Sequence, residues 1–248
     1  MNSDRSSTTI ADYYDRVAET WDKSHGAERL SPRFARQMHG RLKLLLADIP
    51  SSAQALELGA GTGPYIGITA PLFGSVIATD VSEGMLAVFA RRLQAIGLPN
   101  VTLMQQDACE LSSIAPESVD VVYSIGLLEV IADFDRLFGA IHRVLKPRGI
   151  VAGISSNGEC PWYFVKRWIQ GGERHGRTGT LTTAARLSDV LSRSGFAPPQ
   201  IVYWGAAPPG LQNRLINAAL AAAETVIAPT PLARYLGVLS FRSSKRPF

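Results

Sequence analysis

Two cysteines in 248 residues, Cys109 and Cys160, are too few and too far apart for a disulfide framework or a thiolate metal cluster, and they fit a reducing compartment. No carboxylate/Asn cluster signals a magnesium site either, so no metal is expected. No run approaches the roughly 20 apolar residues that cross a bilayer. Residues 1–9 are polar and lack the apolar centre of a signal peptide. These absences lead us to expect a cytoplasmic protein with no stable membrane insertion. Charge of one sign is scarce as well: 25 Lys and Arg face 21 Asp and Glu, for a net +4. Much of that excess lies in Arg242, Lys245 and Arg246, where a solvated tail is a simpler reading than a nucleic-acid contact. No nucleic-acid partner is expected.

What is present is alternation. Ile10, Tyr13, Tyr14, Val17 and Trp21 recur at helical spacing, and a second helix is expected over 32–46. Short apolar runs at 55–58, 76–79, 101–104, 119–123 and 149–154 read as strands. Amphipathic helices fall between them, one capped by Ser82 and one ending at Lys146-Pro147-Arg148-Gly149. Strands alternating with helices imply a doubly wound α/β sheet, mostly parallel, with helices on both faces. Beyond 154 the pattern predicts helices over 162–169 and 183–194 and a mobile glycine-rich loop over 171–179. Strands at 200–203 and 235–241 are expected to flank an alanine-rich helix over 211–227. That helix could cover a pocket, contact a membrane or leave a homodimer open; it lacks the basic face of a membrane-surface helix. One domain is expected, with a tail at 1–9, an N-terminal helical lid at 10–50, a ligand-binding core at 51–154 and a further region at 155–248.

The chemistry begins at Glu57-Leu58-Gly59-Ala60-Gly61-Thr62-Gly63. Glycines there let the chain turn sharply after a strand and approach a ligand closely. The spacing is Gly-x-Gly-x-Gly, not the Gly-x-Gly-x-x-Gly of a dinucleotide pyrophosphate, and no Gly-Lys-Ser/Thr follows. Glu57 would repel a polyphosphate and suits a ligand with an ammonium group. Asp80 ends the next strand, where nucleotide-binding sheets place an acceptor for ribose hydroxyls.

With Gln106-Asp107-Ala108 and the 145–150 turn, these residues resemble the class I S-adenosylmethionine-dependent methyltransferases, in particular the small-molecule branch of ubiquinone and natural-product enzymes. The resemblance spans about 13–154. It implies a seven-stranded sheet with an antiparallel last strand, supplied by 235–241, S-adenosylmethionine as cofactor and S-adenosylhomocysteine as product. By position, Gly59, Gly61 and Gly63 would shape the loop around the methionine portion, and Glu57 would help hold its ammonium group. Asp80 would take the ribose hydroxyls, with Val81 and Met85 on the adenine. Asp107 would take the adenine amino group beside Ala108, and Ser124 and Ile125 would line the methionine side. Tyr14 and Trp21 would cover the cofactor from the lid, with Tyr13 behind on the acceptor side. Residue by residue, Asp80 could instead cap a loop, Asp107 form a turn, and Met85 and Trp21 pack the core.

Methyl transfer needs alignment and exclusion of water more than a triad. The Asp/Asn-Pro-Pro-aromatic sequence of DNA amino-methylating enzymes is absent after strand four. Leu128-Glu129-Val130 stands where relatives often carry Leu-Glu-His, so no base is assigned at that histidine position. His25 and His175 are the candidate general bases, although an exposed loop histidine is the simpler reading of each. Trp162, Tyr163 and Trp204 are candidate substrate contacts, or packing for the added helices. The expectation is O- or C-methylation of a small, hydrophobic or aromatic metabolite. Methylation of a phospholipid headgroup or macromolecule, and a non-catalytic cofactor-binding module, are the alternatives.

Overall fold

The computed structural model describes residues 7–24, 29–163 and 182–247. Seven strands form one sheet in the order β3-β2-β1-β4-β5-β7-β6. They are β1 (Gln54–Leu58), β2 (Ser75–Asp80), β3 (Val101–Gln105), β4 (Val119–Ile125), β5 (Leu145–Ser156), β6 (Gln200–Trp204) and β7 (Val238–Ser244). Strands β1 to β5 run parallel, while β7 is antiparallel to both β5 and β6. The chain moves outward from β1 through β2 to β3, then returns to place β4 on the other side of β1. That reversal opens a crevice beyond the carboxyl ends of β1 and β4, where open α/β sheets bind ligands.

Pleating explains the two core layers. Ala55, Val121, Tyr123 and Ala152 point to one face with Val76 and Ala78, and Leu56, Leu58, Val122 and Val151 point to the other. Helix α5 (Glu83–Ile96) buries Met85, Leu86 and Phe89; Ser82 caps its start by accepting from Met85 N–H, and Gly97 ends it at φ 67°. Helix α6 (Phe134–Val144) buries Phe134, Leu137, Phe138, Ile141 and Val144, a stripe at 3.6-residue spacing.

Before β1 come α1 (Ser7–Val17), a 3₁₀ turn at Ala18–Thr20, α2 (Trp21–Ser24) and α3 (Pro32–Leu45). Pro32 opens α3 behind the Ser31 cap, and Phe34, Met38 and Leu42 pack on Ile154, Trp204 and Val238 in a third cluster. The short α4 (Ile66–Thr69) follows the glycine loop; α7 (Ala184–Arg193) and α8 (Arg214–Ile227) complete the helices of the described residues.

Several boundaries differ from expectation. Strand β5 runs longer than 149–154 because Leu145 pairs with Val119 across a register shift, with Arg148 at φ 64° absorbing the turn. The last strand starts at Val238 because Pro231–Tyr235 forms a 3₁₀ turn capped by Thr230. It is last in sequence yet sits inside the sheet, leaving β6 at the edge. Helix α8 begins at Arg214, where Asn213 accepts from Leu215 and Ile216 N–H. Of the helix expected over 162–169, only Trp162 and Tyr163 are described, and the loop expected at 171–179 lies outside the described residues. Among the described residues no helix is long and apolar enough to cross a membrane.

Candidate functional site

At the carboxyl ends of β1, β2 and β4 lies a cavity of about 340 Å³. Its inner end is made by turns that leave the strands. Gly59 has φ 63°, and a Cβ there would meet Leu127 Cδ1 at 2.7 Å, so only glycine fits. Gly61, at φ 56°, faces open space. Gly63 does not line the cavity: a Cβ there would lie 2.2 Å from two Phe89 ring carbons, so the third glycine serves the packing of the loop on α5.

The carboxylates are held before any ligand arrives. Asp80 Oδ2 accepts from Gly61 N–H and its Oδ1 from Ser82 N–H, both at 2.9 Å. Burial raises the Asp80 pKa, and the backbone N–H bonds act against that rise. Glu57 is buried at 3% exposure, and its Oε2 accepts from the Tyr123 hydroxyl at 3.0 Å. Loss of water pushes its pKa up to about 7; the Tyr123 bond partly offsets this and the Asp80 charge adds to it. Asp107 accepts from Cys109 N–H at 2.8 Å, with Ala108 buried beside it. Val81, Met85, Asp107, Ala108 and Ile125 all line the cavity, as do Tyr14 and Trp21 from the N-terminal helices.

Those helices are fastened to the site by two carboxylates. Asp15 accepts from the Ser82 hydroxyl at 2.6 Å and from Gly84 N–H at 2.8 Å, at the start of α5. Asp22 accepts from the Thr62 hydroxyl at 2.7 Å, within the glycine loop, and pairs with Arg92 at 2.6 Å. Their seven-residue separation repeats that of Tyr14 and Trp21, so the periodicity that marked the aromatic pair could have marked the latch.

The outer end is less aromatic than expected. Trp204 is fully buried, donates its indole N–H to Ser240 Oγ at 2.8 Å and packs on Phe34, so it belongs to the core and not to the cavity. Trp162 is 44% exposed and does not line the cavity. Tyr13 packs edge-on against Tyr14 and does not line it either. Ser124 alternates with Ile125 on β4 and therefore faces the opposite side of the sheet, near Gly153. Tyr163 does reach the cavity. The apolar wall comes from Leu30, Phe34, Met38, Pro209 and Val238. Glu129 and Ser156 also line this end, and Glu129 Oε1 accepts from Ser156 N–H at 2.8 Å. His25 and His175 lie outside the described residues.

A family model described as "Methyltransferase domain" matches residues 56–153, the stretch that builds the inner end. A malonyl-[acyl-carrier protein] O-methyltransferase from Methylococcus capsulatus is 30% identical over 59% of this chain. The family match makes residues 56–153 a methyltransferase domain similar to those of the class I S-adenosylmethionine-dependent enzymes. The methyl donor of that class is S-adenosylmethionine and the product S-adenosylhomocysteine. The chain spans 53% of the length of the Methylococcus relative. A dTDP-3-amino-3,6-dideoxy-α-D-glucopyranose N,N-dimethyltransferase from Streptomyces fradiae is 27% identical over 80% of this chain and 74% of its own. Among solved structures, the [4+2]-cyclase SpnF superposes with a TM-score of 0.70 at 19% identity, covering 100% of this chain and 99% of that one; at that identity the likeness is one of fold.

The class cofactor fits the inner end on the chemistry of its donor set. Carboxylates at three successive strand ends match an ammonium, a diol and an amino group, and the open space over Gly61 leaves room for close approach.

Proposed function

We propose that the protein transfers the methyl group of S-adenosylmethionine to a small, largely apolar acceptor. The observation that carries this reading is the continuity of the cavity: a carboxylate-bearing inner end opens directly onto an apolar outer end. Glu57 holds the ammonium group, and Gly59 and Gly61 let the backbone approach the methionine portion. Asp80 takes the ribose hydroxyls, Val81 and Met85 pack on the adenine, and Asp107 takes its amino group beside Ala108. Ile125 lines the methionine side. Tyr14 and Trp21 close the cavity from above and limit water at the reacting centre. Bound there, the cofactor supplies an activated methyl. The chain's remaining task is to place the acceptor against it, and Leu30, Phe34, Met38, Tyr163 and Val238 form the surface on which it lies.

The test is incubation of the protein with methyl-labelled S-adenosylmethionine and a metabolite extract, followed by mass spectrometry. Label in a small apolar metabolite is the expected result. Cofactor binding without any labelled product, or label confined to protein, nucleic acid or phospholipid, would refute the proposal.

A further inference from the structure

The charged side chains among the described cavity-lining residues are Glu57, Asp80, Asp107 and Glu129, all acidic. Three of them have a part in the cofactor reading. Glu129 does not, and its setting differs. It lies four residues past the end of β4, beyond Ile125 and Gly126, and faces the end of β5. Its side chain is buried at 4% exposure. The Oε1 bond from Ser156 N–H fixes the carboxylate across the gap between the two strand ends, which orients it within the outer part of the cavity.

A carboxylate accepts hydrogen bonds, so a ligand group that meets it has to donate one. The surrounding wall of Val130, Ile131 and Ile154 lowers the local dielectric and strengthens that preference. Among the described residues these four carboxylates raise the free energy of an anion beside them and lower that of a cation.

We propose that Glu129 binds the acceptor and selects an apolar molecule whose nucleophile is an amine or hydroxyl, against acceptors that present a carboxylate or phosphate. This rests on the methyl-transfer reading of the cavity. It narrows the substrate class to N–H or O–H donors and gives Glu129 a binding role through direct contact.

Calorimetry with three probes that share one apolar body, 2-naphthylmethylamine, 2-naphthol and 2-naphthoate, tests it on protein loaded with S-adenosylhomocysteine. The wild type is expected to bind the amine, the naphthol or both at least about tenfold more tightly than the naphthoate. Stronger binding of the amine than of the naphthol would identify charge, and the reverse order hydrogen bonding, as the dominant attraction. Glu129→Gln keeps an Oε1 acceptor for Ser156 N–H and removes the charge. It should narrow the gap to below about threefold with unchanged S-adenosylhomocysteine affinity. Glu129→Asp should retain the order of the probes. Equal binding of all three probes, binding of none, or a gap that survives in Glu129→Gln overturns the assignment. Absence of S-adenosylhomocysteine binding in the wild type would instead remove the methyltransferase reading on which it rests.

Discussion

The two ends of the cavity are built in opposite ways. Each carboxylate of the inner end sits at or just beyond a strand end: Glu57 one residue before the end of β1, Asp80 at the end of β2, Asp107 just after β3. Each wall of the outer end is borrowed from a different part of the chain: Leu30 and Phe34 near α3, Glu129 after β4, Ser156 at β5, Pro209 after β6 and Val238 at β7. A site made from local turns is written as a motif. A site made by convergence exists only after the sheet has brought its parts together.

Trp204 gives the largest expected effect on this contrast. As a core residue, its change to alanine should cost about 3–5 kcal/mol in denaturant unfolding and leave S-adenosylhomocysteine affinity unchanged in the folded protein. Retained stability with altered ligand binding would restore it to the outer wall.

Glu57 comes next, through pH. Its folded pKa of about 7 lies above its ordinary value of 4.5, so the folded protein keeps a proton that the unfolded chain has released. Stability from this group is complete below pH 4.5 and is lost as pH rises through 7, by an amount on the order of 3 kcal/mol. Glu57→Gln should flatten that part of the stability curve between pH 4.5 and 7, measured by unfolding across the range. Binding of a cationic ligand to wild type near pH 6 should release a proton, visible as buffer-dependent heat; a curve unchanged by the substitution would place the titration elsewhere.

Asp80→Ala should weaken S-adenosylhomocysteine binding about a hundredfold, with the circular dichroism of the fold retained. Affinity within threefold of wild type would exclude Asp80 from the ligand. Asp22→Ala, which frees the Thr62 hydroxyl and Arg92, should cost about tenfold in the same assay and speed hydrogen exchange over 18–24. Unchanged exchange would mean that the Asp15 bonds and the aromatic contacts hold this segment without Asp22.

The same contrast explains how much was legible in advance. Sheet strands, helix caps and the positions of Glu57 and Asp80 follow from periodicity, turn chemistry and spacing, all of which act over short distances; Asp107 follows only from the family resemblance. The reading failed where the answer depended on partners far along the chain. Trp204 and Tyr163 look alike as aromatic residues in the acceptor region; only the packing of Phe34 and Ser240 on one sends it into the core. Ser124 was missed by one residue of pleat, since a strand sends neighbours to opposite faces. Gly63 was placed with the ligand, although its missing Cβ makes room for Phe89.

The position of β7 also decides what a shortened chain would lack. Among the described residues β6 pairs with β7 alone, so without 238–244 it has no place in the sheet. Glu57, Asp80 and Asp107 all precede β4, whereas the outer end of the cavity needs Val238. A chain stopped before Val238 would carry the motif without the wall.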